Sequence, residues 1–226
     1  MARELLNLLL HAANYASHLF DVTASRSGLK KNGKAWAKIP HAEWIPAQLR
    51  QYGEEVNGHL LEWQSRRDGS ERPVCRGRVE LLALEHIYGD WVEHVYLEAS
   101  EPADSRLRAF KIVDYFLPEA CVGLYHDAQQ DPGLYFYSLG EGEAPYPLHL
   151  DLRGYLRLLA VSLGYEYWQL ALLRLLPDDG RNPAYRQAGN ILEDFRRDMA
   201  AWDPEFDYAA FVALYHAVKL PSAPQG

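Results

Sequence analysis

The side chains best suited to chemistry lie between positions 126 and 149. His126, Asp127 and Asp131 share the segment His126-Asp-Ala-Gln-Gln-Asp131, Glu141 and Glu143 follow in a Gly-Glu-Gly-Glu run, and His149 stands between Leu148 and Leu150. A histidine beside carboxylates can act as acid and base or hold a cation. The spacing of a calcium loop is missing, however, and Asp131 precedes Pro132-Gly133, which is ordinary turn chemistry. Glu141 and Glu143, on an exposed glycine-bearing segment, can accept arginines or lysines from a partner. Asp127, Asp131, Glu141 and Glu143 are therefore the candidate partner-binding residues. An enzyme or small-ligand site would have to be assembled from His126, Asp127 and His149.

Other chemistries find little footing. There is no Gly-x-Ser-x-Gly elbow, no His-Glu-x-x-His pair and no dinucleotide glycine fingerprint. Cys75 and Cys121 are the only cysteines and have neither zinc spacing nor a nucleophile motif, so they read as small buried residues of a reducing compartment. His11 and His18 fall on similar faces of a helix but are separated by roughly 10 Å of rise, too far for one metal. Arg26, Lys30, Lys31, Lys34 and Lys38 form the one basic cluster, among Ser, Gly and Asn and without a phosphate-loop pattern, so positions 21–38 read as a solvated loop. The expectation is a chain with no catalytic residue, metal or cofactor.

Composition points the same way. The 226 residues are 48% hydrophobic, 24% charged and 12% aromatic, the make-up of a folded globular protein. A formal net charge of −8 repels nucleic acid and anionic lipid, and steers cationic proteins towards the chain. No run of 18 apolar residues predicts a membrane span, and Glu4, Asn7 and His11 interrupt the leucine-rich start that would otherwise resemble a signal segment. A cytoplasmic address is expected.

The elements that must position these groups read as one α+β domain over 1–226. Helical spacing predicts helices over 3–20 and 41–55, the second ending at an Asn57-Gly58 turn. Strands are predicted over His59–Gln64, Val79–Leu84, Ala109–Phe116, Cys121–Tyr125 and Leu134–Ser138, with a turn at Asp68-Gly69 and a break at Leu117-Pro118. Glu85–Trp91 reads as a turn or short helix, and Val92–Leu97 fits either strand or helix. Asp151 is placed to cap an apolar helix that ends at Gly164. Further helices are predicted over 165–176, 185–202 and 205–219, with Tyr165, Tyr167 and Trp168 in the core.

The order of motifs resembles the SUKH superfamily, which includes bacterial toxin-immunity proteins and relatives of a fungal cell-wall regulator. The matching pieces are Ile39-Pro40, Asn57-Gly58, the strand bearing Trp63, the strand Leu134–Tyr137, Pro147-Leu148 before the helix of Tyr155, and Gly164-Tyr-Glu-Tyr-Trp-Gln169. They span about 39–169, with an N-terminal helix and a helical extension over about 178–220 outside them. The resemblance implies a curved, mostly antiparallel sheet packed with helices and used as a protein-binding scaffold. It supplies no common catalytic set. The expected function is a non-enzymatic binding protein, an immunity factor that neutralises a cognate toxin; a regulatory scaffold of the same fold is the alternative.

Overall fold

The computed structural model describes residues 4–28, 35–66, 73–139, 144–186 and 190–221. Apolar residues at helical spacing build α1 (Glu4–Leu19), which buries Leu5, Leu6, Leu9, Ala12 and Ala16. The chain then forms β1 (Asp21–Ser27), where a loop was expected. The strand is only partly buried and mostly polar, so its apolar alternation is faint. Of the basic cluster, Arg26 lies on β1 and Lys38 ends a 3-10 turn, whereas Lys30, Lys31 and Lys34 lie outside the described residues.

The helix expected over 41–55 is divided by Pro46. That residue is extended (ψ 141°), as is Ile45 before it (ψ 123°), leaving a 3-10 turn at Ala42–Trp44 and a shorter helix, α2 (Ala47–Glu55). Asn57 (φ 50°) and Gly58 (φ 114°) make the left-handed turn into β2 (His59–Gln64). β2 pairs in full with β3 (Arg76–Leu81), and the predicted Asp68-Gly69 turn lies outside the described residues. β3 starts and ends earlier than expected because Leu84 opens a short helix, α3 (Leu84–Ile87).

Next come β4 (Phe110–Leu117), β5 (Ala120–Tyr125), β6 (Leu134–Ser138) and β7 (Tyr146–Leu150). The last was not anticipated. The Asp151 carboxylate accepts the Gly154 N–H at 2.7 Å and starts α4 (Leu152–Ser162) as expected. Tyr167 (φ 60°) is left-handed and cuts the predicted 165–176 helix down to α5 (Trp168–Leu173). After a 3-10 turn at Pro183–Tyr185 come α6 (Ile191–Trp202) and α7 (Tyr208–Val218).

All seven strands form one antiparallel sheet in sequence order, so the fold is α+β. One face buries Leu61, Val79, Val113, Val122, Phe136 and Leu148 in a single core with the helices. Burial of these apolar groups is the main stabilising term.

The weak seam is between β3 and β4. They share one registered pair, Leu81 with Asp114, and a bond from Leu82 N–H to Val113 O at 2.9 Å. The fully buried Asp114 carboxylate accepts the Glu80 N–H at 2.8 Å and the Tyr155 hydroxyl at 2.6 Å, and Gln169 Nε2 donates to that hydroxyl at 2.9 Å. Further along, the turn after α4 replaces β4 as the neighbour of β3. Arg78 N–H donates to Gly164 O at 2.9 Å and Glu166 N–H to Arg76 O at 3.0 Å. Trp63 crosses Gly77, where a Cβ would lie 2.2 Å from the indole, and donates to Leu163 O at 2.6 Å. Gly164 (φ 70°) sits where a Cβ would come within 2.3 Å of Val79. Both glycines are steric requirements of the wedge.

Burial raises the Asp114 carboxyl to about 6, against the lowering effect of its two hydrogen bonds. With the folded pKa above the unfolded one, the stabilising contribution is complete below about pH 4 and is lost as pH rises through 6. Asp114→Asn should therefore gain on the wild type, by on the order of 2–3 kcal/mol, between pH 4 and pH 7. Urea unfolding of both proteins across that range measures the difference; one that stays flat with pH refutes the assignment.

Candidate partner-binding cleft

The sheet's second face carries a smaller apolar cluster over β4–β6. Phe110 is its centre, because Gly123 on the neighbouring strand leaves room for the ring: a Cβ there would come within 2.6 Å of it. Tyr125 and Tyr137 meet Phe110 edge-on at 5.3 and 5.6 Å. The chain between α3 and β4 crosses this cluster, seating Val95 in it and accepting the Tyr137 hydroxyl on Val95 O at 3.2 Å. Val92–Leu97 is neither strand nor helix but a turn with one bridge, between Val92 and Tyr96.

Two arginines hold that crossing segment. Arg108 donates to the Glu98 carboxylate at 2.8 Å, Glu101 O at 2.6 Å and Pro102 O at 2.9 Å, and its guanidinium lies 5.1 Å from the Tyr96 ring. Arg106 Nε donates to Asp127 at 2.7 Å while its guanidinium stacks 3.9 Å over Tyr125. Between segment and sheet opens a cleft of about 550 Å³, lined by Tyr96, Leu97, Arg106, Leu107, Tyr125 and Tyr137 among others. Leu97 is 55% exposed. Glu93 and Glu101 line the cleft, and the segment that supplies them, Asp90 to Ser105, also holds Asp90, Glu98 and Asp104 and neither lysine nor arginine. Sequence reasoning passed over this stretch because it lacks a period; its acids without bases around Trp91, Tyr96 and Leu97 were the available signal.

The sequence-selected residues do not converge on this cleft. Asp127 stands beside it, engaged by Arg106 and by Gln129 N–H at 3.0 Å. Asp131 accepts the Gly133 N–H at 2.8 Å and the Tyr135 hydroxyl, and lines a different cleft with His149. Glu141 and Glu143 lie outside the described residues, although Ala144 and Pro145, which follow them, line the 550 Å³ cleft. His126 Nε2 is 2.9 Å from Pro40 O, and its ring packs against Tyr88 and Trp44 at 4.8 and 5.5 Å. Burial lowers its pKa, with Lys111 and His41 adding to the effect. The cleft that His149 lines includes neither His126 nor Asp127.

Both cysteines are free and buried, and burial pushes the Cys75 thiol up to about 12. Among the described residues, no group of three His, Cys, Asp or Glu side chains is arranged to hold a metal ion, and no helix is long and apolar enough to cross a membrane. No protein-family model, curated protein or solved structure matches the chain.

Arg108 is the staple of the crossing segment, whereas the sheet and helical core do not depend on it. Arg108→Ala should raise the rate of chymotrypsin cleavage after Tyr96 under native conditions about tenfold, with global unfolding stability changed by less than about 1 kcal/mol. Timed proteolysis beside a urea melt separates the two effects.

Proposed function

We propose that this chain is a non-enzymatic protein-binding domain that takes a basic segment of a partner into the acid-rimmed tyrosine cleft, and that it acts as an immunity protein against a cognate bacterial toxin in the cytoplasm. The observation that carries the binding reading is an aromatic cleft that leaves Leu97 exposed and is lined by Glu93 and Glu101, from a segment of five carboxylates that holds no lysine or arginine. Rim charges of this kind speed encounter and select cationic partners, while a few apolar and aromatic anchors supply affinity. Asp127 contributes chiefly by neutralising Arg106, so that the cleft keeps the sign of its rim.

The immunity reading adds the SUKH resemblance and one electrostatic argument. A toxin that acts on nucleic acid carries a basic groove, and an acidic rim competes for that groove. A regulatory scaffold would use the same cleft for another basic partner. An enzymatic site built from His126, Asp127 and His149 draws no support, since His149 faces a separate cleft and Asp127 is spent on Arg106.

The test is co-expression with a toxin encoded beside this gene, followed by binding kinetics. Reversing Glu93, Glu98, Glu101 and Asp104 to lysine should slow association at least tenfold at low salt and flatten its salt dependence; Leu97→Ala should mainly speed dissociation. Binding untouched by both variants removes this cleft as the interface. A soluble protein that fails to protect cells from that toxin removes the immunity reading for the pair and leaves the binding reading to be judged by the kinetics.

A further inference from the structure

A second cleft, of about 600 Å³, opens between the start of β6, β7, the segment Leu176–Arg181 and the end of α7. Its ionisable acids and bases can be accounted for one by one. Two carboxylates line it, and the protein satisfies both. Asp131 accepts the Gly133 N–H and the Tyr135 hydroxyl. Asp179 accepts the Arg181 and Asn182 N–H groups, both at 2.9 Å, and Arg181 Nη2 at 3.3 Å.

The donors are in the opposite condition. Lys219 Nζ makes no hydrogen bond or ion pair among the described residues; its one described partner is the Tyr215 ring, 5.9 Å away. The His149 ring likewise has no hydrogen bond among them. Arg181 is bonded to Asp179 through one nitrogen only, and its side chain is 82% exposed. The backbone brings two of the three together: His149 is left-handed (φ 55°) at the register shift between β6 and β7, and Leu220 N–H donates to His149 O at 2.7 Å, which sets Lys219 beside it. The remaining wall is apolar, with Leu134, Pro147, Leu176, Pro177 and Leu220.

Donors with free hydrogen-bonding capacity over an apolar wall, with both lining carboxylates already hydrogen-bonded, suit an anion attached to a hydrophobic group. We propose that this cleft binds a carboxylate carried on an apolar body, with Lys219 and Arg181 meeting the charge and His149 hydrogen-bonding to it. Such a group is found on a free organic acid and on the C-terminus of a peptide. The proposal is independent of the partner-binding cleft. His149 also reports on it: burial and the nearby Lys219 ammonium lower its pKa, and a bound carboxylate reverses the second of these effects.

The experiment is an NMR titration of the His149 imidazole in the full chain with five probes: hexanoate, hexanol, inorganic phosphate, and a short leucine-ended peptide in free-acid and in amidated form. Hexanoate or the free-acid peptide should give a saturable shift and raise the His149 pKa, while hexanol and the amidated peptide should not. The tighter of the two binders identifies the natural source as free acid or chain terminus. Lys219→Met should weaken binding at least tenfold, about 1.4 kcal/mol, and Arg181→Ala severalfold, with unchanged thermal unfolding showing that the fold is intact. Absence of saturation by either carboxylate, an equal response to hexanol, or full affinity in Lys219→Met overturns the proposal. Phosphate binding as tightly as hexanoate overturns its apolar half.

Discussion

A single buried carboxylate holds together elements that the sheet leaves poorly joined. Asp114 lies on β4, accepts a backbone N–H from β3 and a hydroxyl from α4, and through that hydroxyl reaches Gln169 of α5. Ladder hydrogen bonds normally do this work between neighbouring strands. Here β3 and β4 diverge after one registered pair, and side chains with a helix-terminal turn take over. The arrangement costs desolvation of a charge, which is why the carboxyl is pushed up. In return, the divergence makes room for Trp63, whose ring crosses Gly77 and stacks on Phe20 at 3.8 Å. Sheet and helices are thereby fixed to each other at the point where the sheet itself is weakest.

The two faces of the sheet then serve different ends. The helical face is continuous core. On the opposite face, among the described residues, a segment tied down through Arg106 and Arg108 and by the buried Val95 covers β4–β6. Such a cover opens locally at lower free energy than the core does. A rigid tyrosine floor under a stapled acidic rim combines preorganised contact area with room for adjustment at the edge, which is the balance a protein-binding surface needs.

How much of this was readable depends on how strongly each residue constrains its neighbours. Asp151 as a cap, Asn57-Gly58 as a turn and the β4–β6 strands could be read because each follows from local chemistry. The start of α2 was misplaced although Pro46 was in view, since the periodicity of Trp44, Ile45 and Leu49 ran through it. β1 and β7 were hidden for different reasons: the first is polar, and the second contains Pro147 and a left-handed His149. The start of the predicted 165–176 helix could not be seen, because the chain from Leu163 to Tyr167 is held in an unusual conformation by its contacts with β3 and Trp63, all distant in sequence. The candidate cleft belongs to the same class. Its floor was read as strands, but its rim is an aperiodic segment shaped by Arg108.

The turn between β5 and β6 explains why carboxylates alone were a misleading guide. Asp127 and Asp131 stand four residues apart, and each is taken up internally, the first by Arg106 and the second by Tyr135 and Gly133. Tyr125 and Tyr135, edge to face at 5.0 Å, then separate the two clefts on whose walls they lie. Asp127 is neutralised in place by Arg106, and Asp131 is held by two neutral donors, so neither stands free to meet a partner. One cleft is edged by the acids of Asp90–Asp104, of which Glu98 is tied to Arg108; the other carries Lys219, which has no ion pair among the described residues, beside Arg181 and the His149 imidazole. Charge that is already partnered shapes a fold, and charge left unpartnered beside a cavity determines what the fold can bind.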